Sequence, residues 1–112
     1  MAGRITTHVL DTANGAPAAG LDLELNAHIA GQWHKLGQFR TNADGRCDGP
    51  LLEGEALRAG LYEIMFHVAQ WRGERPGFYD TIPIRFTVTD PQAHHHVPLI
   101  LSPFGYSTYR GS

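Results

Sequence analysis

The stretch LDLELNAHI alternates without a break: Leu21, Leu23, Leu25, Ala27 and Ile29 are interleaved with Asp22, Glu24, Asn26 and His28. A period of two is what a strand buried on one face requires. IPIRFTVTD repeats it, with Ile82, Ile84, Phe86 and Val88 on one face and Arg85, Thr87 and Thr89 on the other. ITTHVLD, WHKLGQFRT, GLYEIMFHV, HHHVPLILS and GYSTYR are further strand candidates, and NGAPAAG, NADG, FYDT, TDPQA and SPFG supply turns or loops between them. Helical signal is thin. VAQWRGE (68–74) is long enough for a turn or two, and LLEGEALRA (51–59) is ambiguous because Gly54 weakens a helix there. Seven to eight short strands at this spacing predict an all-β, antiparallel β-sandwich with one short helix. No linker or repeat divides the chain, so residues 1–112 are expected to form a single domain.

Charge narrows the range of partners. Only 18% of residues are charged, the net charge is −2, and the nine basic residues are scattered. No basic run marks a nucleic-acid or membrane surface, so neither partner is expected. The single cysteine, Cys47, leaves no intramolecular disulfide and no cysteine-rich zinc site. The first residues, MAGRITTHVL, show no signal-peptide pattern, and the expected compartment is the cytoplasm.

Seven histidines are many for a chain of 112 residues, and histidine titrates near neutral pH. If Val97, Leu99 and Leu101 face inward, His95 goes with them, and His94 and His96 project from the outer face. His8 sits likewise with Thr6 and Leu10, opposite Ile5, Thr7 and Val9. Surface or interface polarity suffices for His28, His34 and His67. His94 and His96 supply two of the three or four ligands zinc needs, with no thiol or carboxylate in obvious register, so no metal is expected. G-x-S-x-G, a phosphate loop and a dinucleotide fingerprint are all absent from the sequence. In TNADGRC, Asn42 to Gly45 read as a tight turn whose glycine takes a positive φ, and Arg46 follows at the start of the next extended piece. A guanidinium held there offers a fork of donors to a planar, polar or anionic ligand. Cys47 reads as a small buried residue rather than a nucleophile.

Three stretches, ITTHVLDTANGAPAAG, TNADGRC and HHHVPLILSPFGYSTYRGS, resemble, in order, the signature regions of the transthyretin-related 5-hydroxyisourate hydrolases. The resemblance spans roughly residues 4–112. YRGS is its most specific element, because the hormone-carrying transthyretins share the fold and lack this ending. The resemblance implies a homotetramer, a dimer of dimers, with active sites at the dimer–dimer interface and no metal or organic cofactor. It implies hydrolytic ring opening of 5-hydroxyisourate in urate degradation, giving 2-oxo-4-hydroxy-4-carboxy-5-ureidoimidazoline. Carried over by motif, His8, Arg46, His96 and Ser112 are the catalytic candidates, and His8, Arg46 and Tyr109 the substrate contacts. Departures are His95, where the family more often has tyrosine, and FYDTIPIRF in place of a commoner FFP-type run.

Such a reaction needs a general base, a stabiliser for the developing oxyanion and a clamp on the ring. The His8/His96 pair is expected to provide the base, and Arg46 to anchor or polarise substrate oxygens. Tyr109 and Ser112 are expected to hydrogen-bond substrate, water or histidine, with Gly111 letting the backbone turn. Tyr109 and Arg110 alternate across the last strand, which assigns Arg110 to a structural or subunit contact. A transthyretin-like carrier without chemistry is the main rival, and a bare interaction sandwich the second.

Overall fold

The computed structural model describes residues 2–112. Its strands are β1 (Arg4–Asp11), β2 (Ala16–Pro17), β3 (Asp22–Ile29), β4 (Gln32–Arg40), β5 (Leu52–Glu53), β6 (Gly60–Phe66), β7 (Ile82–Val88), β8 (His94–Ser102) and β9 (Gly105–Thr108). One sheet has the order β2-β1-β8-β9, with β5 on β1, and the other β4-β3-β6-β7. The expected sandwich is present, and its pairings are antiparallel except β1 with β8, which is parallel. The chain leaves β1, builds the whole second sheet, and returns beside β1 in the same direction.

Alternation packs the two sheets together. Ile5, Val9, Leu99 and Leu101 from one meet Leu23, Leu25, Ile64, Phe66, Ile82 and Val88 from the other in one buried apolar cluster. The buried threonine hydroxyls are hydrogen-bonded, as burial demands. Thr7 Oγ1 donates to the Val97 carbonyl at 2.7 Å, and Thr41 Oγ1 donates to the Ala18 carbonyl at 2.6 Å while accepting from Leu21 N–H. His95 also points inward, only 5% exposed, and its Nδ1 has no partner among the described residues.

The 68–74 stretch forms one short helix, α1 (Val68–Arg72), pinned by Trp71 Nε1 donating to the Ala19 carbonyl at 2.9 Å. The ambiguous 51–59 stretch is β5 followed by a single 3-10 turn at Gly54–Ala56, with Gly54 at φ +68°. β3 and β4 are joined at Ala30 and Gly31, both at positive φ (53° and 80°), the geometry a tight hairpin demands.

Candidate active site

Register decides which side chains meet. Arg4 pairs with His94, Thr6 with His96 and His8 with Pro98. Since Ile5, Thr7 and Val9 face inward with Val97 and Leu99, the side chains of Arg4, Thr6, His8, His94 and His96 share the outer face of this sheet.

The Asn42–Gly45 turn brings Arg46 to the same place. Asn42 Oδ1 accepts from Asp44 N–H (2.9 Å) and Arg46 N–H (3.2 Å), and Gly45 takes φ +73°. The turn is laced to β1: Val9 N–H donates to the Gly45 carbonyl at 2.8 Å, and Arg46 bridges to His8. A Cβ on Gly45 would stand 2.4 Å from the Val9 carbonyl oxygen. Gly45→Ala is therefore expected to cost about 1–3 kcal/mol through the left-handed backbone and the collision. It should also displace Arg46, so a thermal melt and a rate measurement should fall together.

These elements enclose a cleft of about 470 Å³, lined by Arg4, Thr6, Thr7, Arg46, Cys47, Gly49, Pro50, His94, His96 and Ser112. No Asp or Glu side chain is among them, and Arg46 belongs to none of the ion pairs among the described residues. The cleft is cationic and suits a polar or anionic guest. A second concavity of about 460 Å³ lies between α1 and the end of β8, lined by Val68, Trp71, Leu101 and Phe104 among others. It holds no histidine and is the poorer place for proton transfer.

His8 borders the cleft beside Arg46 without lining it. Its Nε2 lies 2.9 Å from the Asp44 carbonyl oxygen, which can only accept, so Nε2 carries the hydrogen and neutral His8 has its lone pair on Nδ1. Thr6 Oγ1 stands 2.6 Å from His94 Nε2 and 2.8 Å from His96 Nδ1. The His96 Nε2 atom has no protein partner among the described residues.

Burial, then the charges of Arg46, His94 and His8, hold the His96 imidazole below its usual pKa. His94 is also lowered, by burial first and then by Arg4, His95 and Arg110. Both therefore favour the neutral form at pH 7. Burial first, with Asp48 adding, pushes the Cys47 thiol up to about 11, so it stays protonated and is a poor nucleophile. Among the described residues no three His, Cys, Asp or Glu are grouped as metal ligands.

The last residues reach the cleft through β9. The register pairing Leu99 with Thr108 sets Tyr109 opposite Pro98, which has no N–H to give, and the ladder lapses there. It resumes at His96 and Gly111, where Gly111 N–H donates to the His96 carbonyl at 2.8 Å. Gly111 serves close approach rather than a turn: a Cβ there would lie 2.4 Å from His96 Cδ2. Ser112 then lines the cleft. Tyr109, 58% exposed, lines a different groove that adjoins the cleft only through His96, together with Ile84, Phe86 and Thr108. Arg110 donates from Nη2 to the His94 carbonyl at 3.3 Å.

Thus Arg46, His96 and Ser112 come together, His8 stands at the rim, and Tyr109 lies apart. Arg4 and Thr6 were not singled out in the sequence, and His94 was weighed there only as an outer-face histidine and possible metal ligand. Arg4 and Thr6 share alternation with His8, and His94 with His96, but only the β1–β8 pairing makes neighbours of them.

The two-sheet β-sandwich thus bears on its outer face a cationic, histidine-lined cleft large enough for a small molecule. The chain belongs to the HIUase/Transthyretin family, whose model matches residues 5–111. It is 47% identical to a protein of Rhizobium meliloti named 5-hydroxyisourate hydrolase 2, over 98% of this chain and 97% of that one. Among solved structures, the 5-hydroxyisourate hydrolase of Klebsiella pneumoniae superposes with a TM-score of 0.83 at 31% identity, over 98% of this chain and 94% of that one. Sea bream transthyretin in complex with thyroxine superposes with a TM-score of 0.89 at 25% identity, over 96% and 94%. Backbone shape alone therefore does not separate the hydrolase from the thyroxine-bound transthyretin; the side chains of the cleft must. No helix among the described residues is long and apolar enough to cross a membrane.

Proposed function

We propose that this protein is a 5-hydroxyisourate hydrolase of urate degradation. The observation that carries the reading is the meeting of His96, Arg46 and Ser112 in one cationic cleft. The names of its relatives support it. A channel for an apolar hormone has no use for such a cleft.

Water adds its oxygen to the ring's acyl carbon, the acyl C–N bond breaks, and the nitrogen receives the proton. The products of that cleavage are the carboxyl and ureido groups of 2-oxo-4-hydroxy-4-carboxy-5-ureidoimidazoline. His96 takes the proton from water at Nε2 and returns it to the departing nitrogen, since this nitrogen is free and its ring is neutral at pH 7. Arg46 faces the developing oxyanion with donors that no acceptor among the described residues occupies. His8, fixed with its hydrogen on Nε2, and the Ser112 hydroxyl orient water and substrate. Tyr109 contacts substrate from the groove on the far side of His96. No step requires a metal or an organic cofactor.

The proposal includes a homotetramer built as a dimer of dimers, and a cytoplasmic location. Edge strands β7 and β9 each have one edge unpaired among the described residues, and Phe78, Phe104 and Tyr106 stand exposed near this side, which suits them to a second copy. Light scattering should report a tetramer, and a fully active monomer would contradict an interface site. The activity is tested by adding the protein to urate and uricase and following the transient absorbance of 5-hydroxyisourate. Decay no faster than the spontaneous rate would sink the assignment.

A further inference from the structure

We propose that Thr6 and His94 are positioning residues that set the tautomer of His96, through a hydrogen-bond chain running from His96 Nδ1–H to the Thr6 hydroxyl and on to His94 Nε2. The inference rests on the hydrolase reading above for its kinetic consequence but not for its structural content.

The Thr6 hydroxyl stands 2.6 Å from His94 Nε2 and 2.8 Å from His96 Nδ1. It has one proton and two lone pairs, so it donates to at most one ring and accepts from the other or from both. For His96 this leaves two polarities, and they have opposite consequences. If His96 donates from Nδ1, its Nε2 holds a lone pair and is a base. If the hydroxyl instead donates to His96 Nδ1, neutral His96 carries its hydrogen on Nε2 and has no basic nitrogen free in the cleft.

Three observations select the first polarity. Arg46 lines the same cleft as His96, and its positive charge favours a lone pair over an N–H turned toward the cleft. Protonated His96 must carry a hydrogen on Nδ1, so only this polarity survives proton uptake without Thr6 rotating. His94, partly buried and near Arg4 and Arg110, favours its neutral form, which leaves its Nε2 able to accept. The opposite edge of the His96 ring is fixed too, because Gly111 packs where a Cβ would lie 2.4 Å from Cδ2. A base oriented by a third group is the general arrangement of a catalytic histidine; here the orienting group is a neutral hydroxyl backed by a second imidazole.

The chain's ¹⁵N-histidine NMR spectrum at pH above the imidazole titration tests it. His96 should show a protonated Nδ1 and a bare Nε2, and Thr6→Val, which keeps the branched shape and loses the hydroxyl, should shift it toward the opposite tautomer. Thr6→Val should lower kcat by about 10- to 100-fold with KM little changed. That is less than the ~10⁴ that follows loss of a charged orienting partner. Thr6→Ser should restore both the spectrum and the rate, and His94→Phe should weaken the tautomer preference as Thr6→Val does. A hydrogen on His96 Nε2 in the wild type, or an unchanged kcat in Thr6→Val, overturns the proposal. Should the wild type prove unable to open 5-hydroxyisourate, the hydrolase reading fails alone, and the tautomer spectra still decide whether the relay exists.

Discussion

Replacing His96 with alanine should lower kcat by about 10²–10⁴, the usual worth of a positioned acid–base group, and leave the sandwich folded. The imidazole lies on the outer face of β8, so its loss opens no cavity in the core formed by Val97, Leu99 and Leu101 beneath it. Its Nδ1 is taken by Thr6 and its backbone carbonyl by Gly111, so only Nε2 is free to meet water. KM should change far less than kcat, because the proton moves only as the transition state forms. Steady-state kinetics on freshly generated 5-hydroxyisourate, beside a thermal melt, measure both. Turnover near that of the wild type would remove His96 from the chemistry and leave His8, with its lone pair on Nδ1, as the candidate base.

Arg46→Ala should reduce kcat/KM by about 10²–10³, the range found when one donor to a developing oxyanion is removed. Arg46→Lys should recover part of the loss, since it restores the charge without the planar fork. The same substitution carries a second signature. A general base works in its neutral form, and burial and Arg46 hold the His96 pKa below the ordinary value near 6.5. The midpoint of the acid decline in the wild-type rate should therefore lie below that value. Removing Arg46 removes a cause of the lowering, so the acid limb should move to higher pH. An unmoved limb would separate Arg46 from His96. Stability follows the same sign. The unfolded chain binds protons at His94 and His96 before the folded one does, so their contribution is intact above the ordinary histidine pKa. It is lost as pH falls through that value toward the lowered folded ones.

Much of this molecule is legible in single stretches. Alternation in LDLELNAHI and IPIRFTVTD marks β3 and β7 with their inward faces, because burial on one face leaves its period in the chain; only Ile29, at the hairpin end of β3, is exposed against that reading. It also turns His94 and His96 outward and His95 inward. NADG marks the turn before Arg46 because a positive φ at Gly45 needs a residue without Cβ. The Ala30-Gly31 hairpin was harder to see, since alanine rarely takes φ +53°. Nor does alternation say which strand lies beside which, and so the parallel contact of β1 with β8 was not foreseen.

By itself the sequence determined the β-sandwich class, the inward and outward sets of β1, β7, β8 and most of β3, and, through its three signature stretches, the family. These are properties of neighbouring residues, set by the period of the backbone and the conformational needs of glycine. Only the tertiary structure decided that Thr6 stands between His94 and His96, that Gly111 abuts the His96 ring, and that Tyr109 lies apart from Ser112. Each depends on strand register and on where the ladder lapses at Pro98. Register is settled by packing between segments distant in the chain, so no local stretch records it.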